Sequence, residues 1–148
     1  MIKQAIIPLA GLGTRMLPLT SVIPKELLPI NGKPNVEYIM DECIEAGIKE
    51  FIFIISKRKQ NIKKYFFNDS FYKKIIKRSK NKDIIKKFKE IKKYQKMIKF
   101  VYQDNPKGTG DAVLKCQRFI KNRFFLMLLP DDLIIKKNCT KEMLNLHF

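Results

Sequence analysis

A glycine-rich loop near the start of the chain is the first segment whose residues could do chemistry. A short apolar run, residues 4–9, leads into Gly11 and Gly13, and Arg15 follows. Glycines have no Cβ, so backbone N–H groups can approach phosphate oxygens, and the planar guanidinium of arginine can bind two such oxygens at once. Two familiar phosphate-binding motifs are not met, because Met16 replaces the last glycine of G-x-G-x-x-G and no G-K-[ST] follows. The loop therefore indicates either phosphate binding or a structural turn.

Four apolar runs, with helical patterns between them, must position this loop. Continuous runs predict strands at residues 4–9, 50–56 and 123–129, and the alternating run at residues 98–103 predicts another. Amphipathic spacing predicts helices at residues 36–46 and 111–120, and a last short helix after residue 132. Near-continuous apolar strands that alternate with helices predict a single α/β domain, residues 1–148. We expect a Rossmann-like, mostly parallel sheet with helices on both faces.

The segment between the first strand and the first helix is rich in proline. Four prolines lie between Pro18 and Pro34. Each lacks an N–H group and restricts the residue before it, so no regular helix is expected here. The sequence Asn31-Gly32-Lys33-Pro34 predicts a turn.

Basic residues are concentrated in one segment. Of the net charge of +17, residues 57–99 carry +15, from eighteen Lys or Arg and three acidic residues. Apolar positions at helical spacing predict two or three amphipathic helices in a lysine-rich insert at about 57–97, with breaks at 68–70 and 79–83. One interpretation is a surface that binds nucleic acid or a membrane. The other is AT-rich coding, which favours the abundant Lys, Ile, Asn and Phe. We favour the second, because no recognisable nucleic-acid-binding module is present, and we do not expect a nucleic-acid partner.

The composition excludes several other classes of protein. Hydrophobic residues make up 45% of the chain, enough for a core, and no apolar run approaches the 18–20 residues or so of a membrane span. Cys43, Cys116 and Cys139 are widely spaced and form no C-x-x-C motif, which is typical of a reducing compartment. The single histidine, His147, argues against histidine-based catalytic triads. No signal-peptide pattern opens the sequence, so we expect a cytoplasmic protein without membrane partners.

Three ordered motifs resemble those of the sugar-1-phosphate nucleotidyltransferases. They are G-x-G-T-R-x-x-P-x-T from Gly11, continued by Ile23-Pro-Lys-Glu-Leu-Leu-Pro29 and Lys33-Pro34; Gln103 with Gly108-x-Gly110-x-Ala112; and Leu128-Leu-Pro-Asp131. The loop containing Leu12 and Met16 is most similar to that of the bacterial UTP–glucose-1-phosphate uridylyltransferases. The resemblance covers nearly the whole chain and is weakest in the lysine-rich insert.

The resemblance implies transfer of uridylyl from UTP to glucose 1-phosphate, which gives UDP-glucose and pyrophosphate. A sugar-phosphate oxygen attacks the α-phosphorus in line, so positioning and charge neutralisation dominate catalysis. By resemblance, Arg15 would hold the β- and γ-phosphates and Lys25 the α-phosphate. Asp131 would bind Mg²⁺, with phosphates and water completing its shell. The family pattern fixes only this carboxylate and not the neighbouring Asp132.

The resemblance also implies a nucleoside site. Its members would be Ala10, Gly11, Gly13, Thr14, Glu26, Gln103 and Gly108. Glu26 and Gln103 would face the nucleoside, and an amide side chain offers both a donor and an acceptor to a uracil edge. Without the resemblance, a strand-end Gln, a solvated Lys, a loop Arg and a capping Asp each have an ordinary structural explanation.

Two residues and the length of the chain depart from the family pattern. Ser21 stands where lysine is usual, and Asp111 where histidine is usual. Family members are considerably longer, and their later part supplies the sugar pocket, a Glu-Lys pair that binds the glucose phosphate, and dimer contacts. We therefore expect this chain to correspond to a truncated, nucleotide-binding half that exposes apolar surface and self-associates into a homo-oligomer. A UTP-binding remnant without turnover is the open alternative.

Overall fold

The structure, a computed structural model, describes residues 2–67, 70–134 and 136–147. In chain order its elements are β1 (Gln4–Pro8), β2 (Pro29–Ile30), β3 (Lys33–Pro34), α1 (Asn35–Glu45), β4 (Glu50–Ile55), α2 (Gln60–Phe67), α3 (Ser70–Arg78), α4 (Lys82–Gln95), β5 (Ile98–Tyr102), α5 (Thr109–Lys115), β6 (Leu126–Met127) and α6 (Cys139–His147). Single 3₁₀ turns lie between several of them, including Lys25–Leu27 and Lys57–Lys59.

The main sheet contains the four strands predicted from the apolar runs. They lie side by side in the order β5-β4-β1-β6, and every neighbouring pair is parallel. Residues 51–55 of β4 are fully buried, with exposed fractions of 0%. A parallel strand covered on both faces must be apolar at every position, which explains why the run shows no alternation. The predicted α/β fold is confirmed.

Helices cover both faces of the sheet. On one face, Ile7, Phe51 and Phe53 pack into a cluster with Phe66 of α2 and Tyr94 of α4. On the other face, the alternate residues of the same strands form a smaller cluster with α5; its members are Ile6, Ala10, Ile52, Ile54, Val101, Ala112 and Cys116. The main sheet thus has a hydrophobic core on each side.

The proline-rich segment contains no α-helix, as predicted. It forms short 3₁₀ turns and then a two-stranded hairpin, β2 and β3, in antiparallel register. Asn31 and Gly32 connect the two strands with φ angles of 49° and 75°. Two consecutive left-handed residues are typical of a tight hairpin turn, which is why Asn-Gly is favoured there.

Two elements are shorter than the sequence predicts. The strand predicted at 123–129 is reduced to β6, which pairs only through Ala5↔Leu126 and Ile6↔Met127. The helix predicted at 111–120 is α5, Thr109–Lys115, followed by a 3₁₀ turn at Gln117–Phe119.

The buried side chain of Gln4 bonds to the chain just beyond this helix. Its Nε2 donates to the carbonyl of Phe119 at 3.0 Å, and its Oε1 accepts from the backbone N–H of Lys121 at 2.8 Å. These bonds hold the segment after the 3₁₀ turn against β1, whereas the α-helix itself has already ended at Lys115.

The lysine-rich insert forms three helices, α2 to α4. Residues 68 and 69 of the first predicted break lie outside the described residues, and the second break lies between Arg78 and Lys82 as expected. Asn81 caps α4, because its side-chain oxygen accepts from the N–H groups of Asp83 and Ile84. α2 and α4 pack on the sheet, whereas Phe71, Tyr72 and Ile75 of α3 are exposed.

α6, the helix expected after residue 132, packs against α1. The Asn138 side chain donates to the Glu42 carbonyl, and the Glu42 carboxylate accepts from the N–H of Thr140. None of the helices in the described ranges is both long and apolar enough to cross a membrane.

Candidate functional site

Several of the site residues predicted from the sequence come shortly after strands of the main sheet. Ala10 and the glycine loop follow β1, Gln103 follows β5, and Asp131 follows β6. Because the strands are parallel, all of these segments emerge at the same edge of the sheet, where ligands bind in open α/β folds. β5 and β6 are the outer strands. Three strand spacings separate them, a span of about 14 Å.

The glycine loop closes on itself through Thr20. The Thr20 hydroxyl donates to the carbonyl of Gly13 at 2.8 Å. Gly13 has a φ of +67°, and a Cβ there would lie 3.2 Å from the Thr20 methyl group. Any other residue at this position would therefore adopt an unfavourable backbone conformation, and its Cβ would crowd the Thr20 methyl group. Gly11 is exposed, and a Cβ there would meet nothing within 4 Å.

Three predicted residues, Arg15, Lys25 and Asp131, meet at one end of the edge. They line a pocket of about 350 Å³ together with Gly13, Thr14 and Met16. The Lys25 Nζ lies 3.0 Å from the Asp131 Oδ2, and the two side chains are 24% and 56% exposed. The hydrogen bond from Lys25 lowers the pKa of Asp131, and the charge of Arg15 lowers it further. Asp131 is therefore an ionised carboxylate beside two cations.

The backbone before Asp131 is fixed by α1. The Asn35 side chain at the start of that helix donates to the carbonyl of Pro130 at 2.5 Å. β6 ends three residues earlier at Met127, and the backbone N–H of Leu128 still bonds to Ile6. Asp131 is thus held between the end of the sheet and the start of α1, although it lies in a turn.

Glu26, for which a contact with the nucleoside stays a prediction, is surrounded by protein in this structure. Its side chain is 1% exposed, and both of its carboxylate oxygens accept hydrogen bonds from Lys59 Nζ at 2.8 Å. Burial lowers the pKa of Lys59, the nearby charge of Lys25 adds to this effect, and Glu26 opposes it. The pair ties the turn that contains Lys25 to the segment that follows β4.

Sequence reasoning missed Lys59. It lies within a run of basic residues whose other members are mostly exposed, so its type carried no information. Its position could have identified it, since it comes only four residues after the buried strand β4 and thus lies at the functional edge.

Gln103 and Gly108 lie at the other end of the edge. Gln103 is 3% exposed, and its backbone N–H extends the sheet by bonding to Ile55 at 2.9 Å. Its side-chain Nε2 donates to Asp111 Oδ2 at 2.6 Å and lies 3.5 Å from the Gly108 carbonyl. Gly108 has a φ of +101°, which favours glycine at the turn that starts α5.

The two departures from the family pattern lie in different settings. Ser21 is exposed, and its hydroxyl bonds locally to the Pro18 carbonyl at 2.6 Å. Asp111 is joined to Gln103 as described above, and its other oxygen lies 3.9 Å from Lys115 Nζ. Only the second departure contacts a predicted site residue.

The donor set at Asp131 fits one kind of metal site. Within the described ranges, no group of three or more His, Cys, Asp or Glu side chains could hold a metal ion. A single ionised carboxylate in a pocket with Arg15 and Lys25 is suited to a hard cation that takes its remaining ligands from phosphate oxygens and water. The site therefore fits a metal ion that arrives with a phosphorylated ligand.

Comparisons with known proteins agree with this arrangement. Residues 4–148 match the nucleotidyl transferase family. A putative UTP–glucose-1-phosphate uridylyltransferase of Methanocaldococcus jannaschii is 36% identical over 99% of this chain and 51% of its own length. The UTP–glucose-1-phosphate uridylyltransferase of Mycoplasma pneumoniae is 42% identical over 90% of this chain and 45% of its own length.

Solved structures give the same result. A UTP-bound enzyme from Acinetobacter baumannii superimposes with a TM-score of 0.88 at 32% identity, over 99% of this chain and 53% of that one. A UDP-glucose pyrophosphorylase complexed with UDP-glucose gives a TM-score of 0.79 at 33% identity. The chain thus spans about half the length of the relatives that it matches, and the resemblance seen in the motifs is confirmed.

Proposed function

The chain belongs to the nucleotidyl transferase family, and on that premise we propose that it binds UTP with Mg²⁺ as part of a UTP–glucose-1-phosphate uridylyltransferase. The observation that carries the proposal is the order of groups along one sheet edge. Arg15, Lys25 and Asp131 lie at one end, and Gln103 with Gly108 lies at the other. A span of about 14 Å suits an extended nucleotide whose phosphates and base occupy opposite ends.

The proposed reaction needs no covalent intermediate with the protein. An oxygen of glucose 1-phosphate attacks the α-phosphorus of UTP, a new P–O bond forms, and the bond to pyrophosphate breaks. In this scheme Lys25 holds the α-phosphate, where negative charge grows, and Arg15 holds the departing β- and γ-phosphates. Asp131 would hold Mg²⁺, which when bound supplies positive charge to the phosphate chain. The protein's part is to orient the nucleotide and neutralise its charge.

The ion pair between Lys25 and Asp131 is compatible with this scheme. Partly exposed pairs contribute about 0–1 kcal/mol, so a nucleotide can separate this one at little cost. A phosphate would then take the place of the carboxylate beside Lys25, and a cation would take the place of the ammonium group beside Asp131. Before binding, the contact holds both side chains at the pocket that the phosphates would enter.

UTP titration of Lys25→Ala tests the proposal. Loss of a charged hydrogen bond should weaken UTP binding about tenfold or more in calorimetry with Mg²⁺ present. Lys49→Ala is the matched control, because Lys49 is exposed and precedes β4, at the opposite edge of the sheet. Equal affinities for the two variants, or no saturable UTP binding by the unmodified chain, would contradict the proposal.

Turnover is a separate question from binding. The motifs of this sequence assign no residue to the sugar phosphate, so we expect pyrophosphate release near background when glucose 1-phosphate is added. This outcome corresponds to a chain that binds UTP without turnover. Robust release that Asp131→Ala abolishes would instead show that these 148 residues also build a sugar site.

A further inference from the structure

The contact between Gln103 and Asp111 is not explained by the proposed phosphate chemistry. Gln103 is buried at the end of β5, and its amide nitrogen lies 2.6 Å from the Asp111 carboxylate. The same nitrogen lies 3.5 Å from the carbonyl of Gly108. Both hydrogens of the amide group therefore face acceptors of the protein itself.

The carboxylate of Asp111 favours one of the two orientations of the Gln103 side-chain amide. The two ends of a glutamine amide have nearly the same shape, and a rotation by 180° exchanges its oxygen and nitrogen. The carboxylate of Asp111 and the carbonyl of Gly108 accept hydrogen bonds but donate none. Rotation of the amide would place Gln103 Oε1 against the negative oxygen of Asp111, which is repulsive. Lys115 Nζ lies 3.9 Å from the other Asp111 oxygen, so that oxygen faces a cation and the first faces the amide.

This orientation leaves Gln103 with an acceptor for a ligand. Its Nε2 is engaged by the protein, so Oε1 is the group that the side chain can offer to a base. Uracil carries a donor, N3–H, on the edge where cytosine carries an N3 lone pair. A fixed acceptor therefore attracts the first base and repels the second, and leaving a buried polar group without a partner is costly.

We propose that Asp111 is a positioning residue that fixes the Gln103 amide, so that its oxygen selects a pyrimidine with an N3–H donor. The inference rests on the proposed function, because it requires UTP to occupy this edge. Asp111 itself contacts no nucleotide in this scheme and acts only through Gln103. A residue that departs from the family pattern would thus contribute to base selection in this chain.

The test compares UTP and CTP affinities of Asp111→Asn. Asparagine has the same shape but can donate as well as accept, so the Gln103 amide can take either orientation. We expect the preference for UTP over CTP to fall about tenfold, mainly through tighter CTP binding. Asp104→Asn is the matched control, since it removes a carboxylate next to Gln103 that bonds to the Lys57 N–H and not to the amide. This control should keep the preference.

A double substitution separates positioning from a general structural effect. In a Gln103→Ala background, Asp111→Asn should leave the ratio of UTP to CTP affinity unchanged, because the amide it orients is gone. An unchanged ratio in Asp111→Asn alone, or the same change with and without Gln103, overturns the inference while UTP binding stands. Failure of the unmodified chain to bind UTP overturns the proposed function and the inference with it. Thermal unfolding of each variant shows whether it is folded.

Discussion

At the residue scale, two adjacent side chains of the site have different environments. Lys25 is partly exposed and pairs with Asp131, whereas Glu26 is 1% exposed and pairs with Lys59. An exposed pair can be separated by a ligand at little cost, but removal of one partner from a buried pair leaves an uncompensated charge. The turn that contains both residues thus presents one group to the pocket and is anchored by the other.

The anchoring pair can be tested by the free energy of unfolding. Lys59→Met should destabilise the chain by about 3 kcal/mol, because the buried carboxylate of Glu26 loses its partner. Urea denaturation followed by circular dichroism gives this value. The double variant Glu26→Gln, Lys59→Met should recover most of the loss, since no buried charge remains. If the single variant is as stable as the unmodified chain, the pair does not anchor the turn.

Arg15 should distinguish nucleotides by the length of their phosphate chain. In the proposed scheme it contacts the β- and γ-phosphates, which UMP lacks. Arg15→Ala should therefore weaken UTP binding about tenfold and leave UMP binding almost unchanged. Calorimetry with both ligands measures the difference. Equal losses for UTP and UMP would assign Arg15 to another part of the ligand.

The site residues that the sequence could indicate belong to local motifs. Arg15, Lys25 and Asp131 each stand in a short segment of recognisable order, and the structure brings all three to one pocket. The Glu26–Lys59 contact joins residues 33 positions apart, and nothing in the local sequence selects Lys59 from its basic neighbours. Pairing of this kind depends on the fold, so the sequence did not reveal it.

At the scale of elements, buried strands were the easiest to predict. β1, β4 and β5 each end one residue earlier than predicted. The limits of β1 and β4 are sharp because these strands are covered on both faces and are apolar after their first residues. β6 is shorter than predicted. Among the described strands it pairs with β1 alone, and only Leu126 and Met127 take part in that pairing. The helix that starts at Thr109 ends at Lys115, where a 3₁₀ turn replaces the rest of the predicted helix.

The charge of the lysine-rich insert should be incidental to nucleotide binding. α3 and α4 carry exposed lysines, among them Lys73, Lys74, Lys77, Lys82, Lys86 and Lys89. Exposed charges more than about 8 Å from a ligand are largely screened at physiological salt. Replacing these six with Gln should leave UTP affinity within about twofold, less than about 0.5 kcal/mol, in calorimetry at that salt concentration. A tenfold loss of UTP affinity would indicate that lysines of α3 and α4 lie close to the bound nucleotide.

At the scale of the whole molecule, the chain spans about half the length of its relatives. Within the described residues β6 has a strand on one side only, and Met127 and Leu129 are 38% and 44% exposed. Unpaired strand edges and exposed apolar residues favour association with another chain. Self-association into a homo-oligomer therefore stays a prediction, with a physical reason in the structure.

The location of UTP tests the central claim most directly. In ¹⁵N–¹H correlation spectra of the labelled chain titrated with UTP and Mg²⁺, we expect the largest shift changes in backbone amides at the carboxyl edge of the sheet. These are Ala10, Gly11, Arg15, Lys25, Gln103, Gly108 and Asp131. The amides of α3 should change little. Shift changes that are confined to α3 and α4, or that are absent at saturating UTP, would contradict the account.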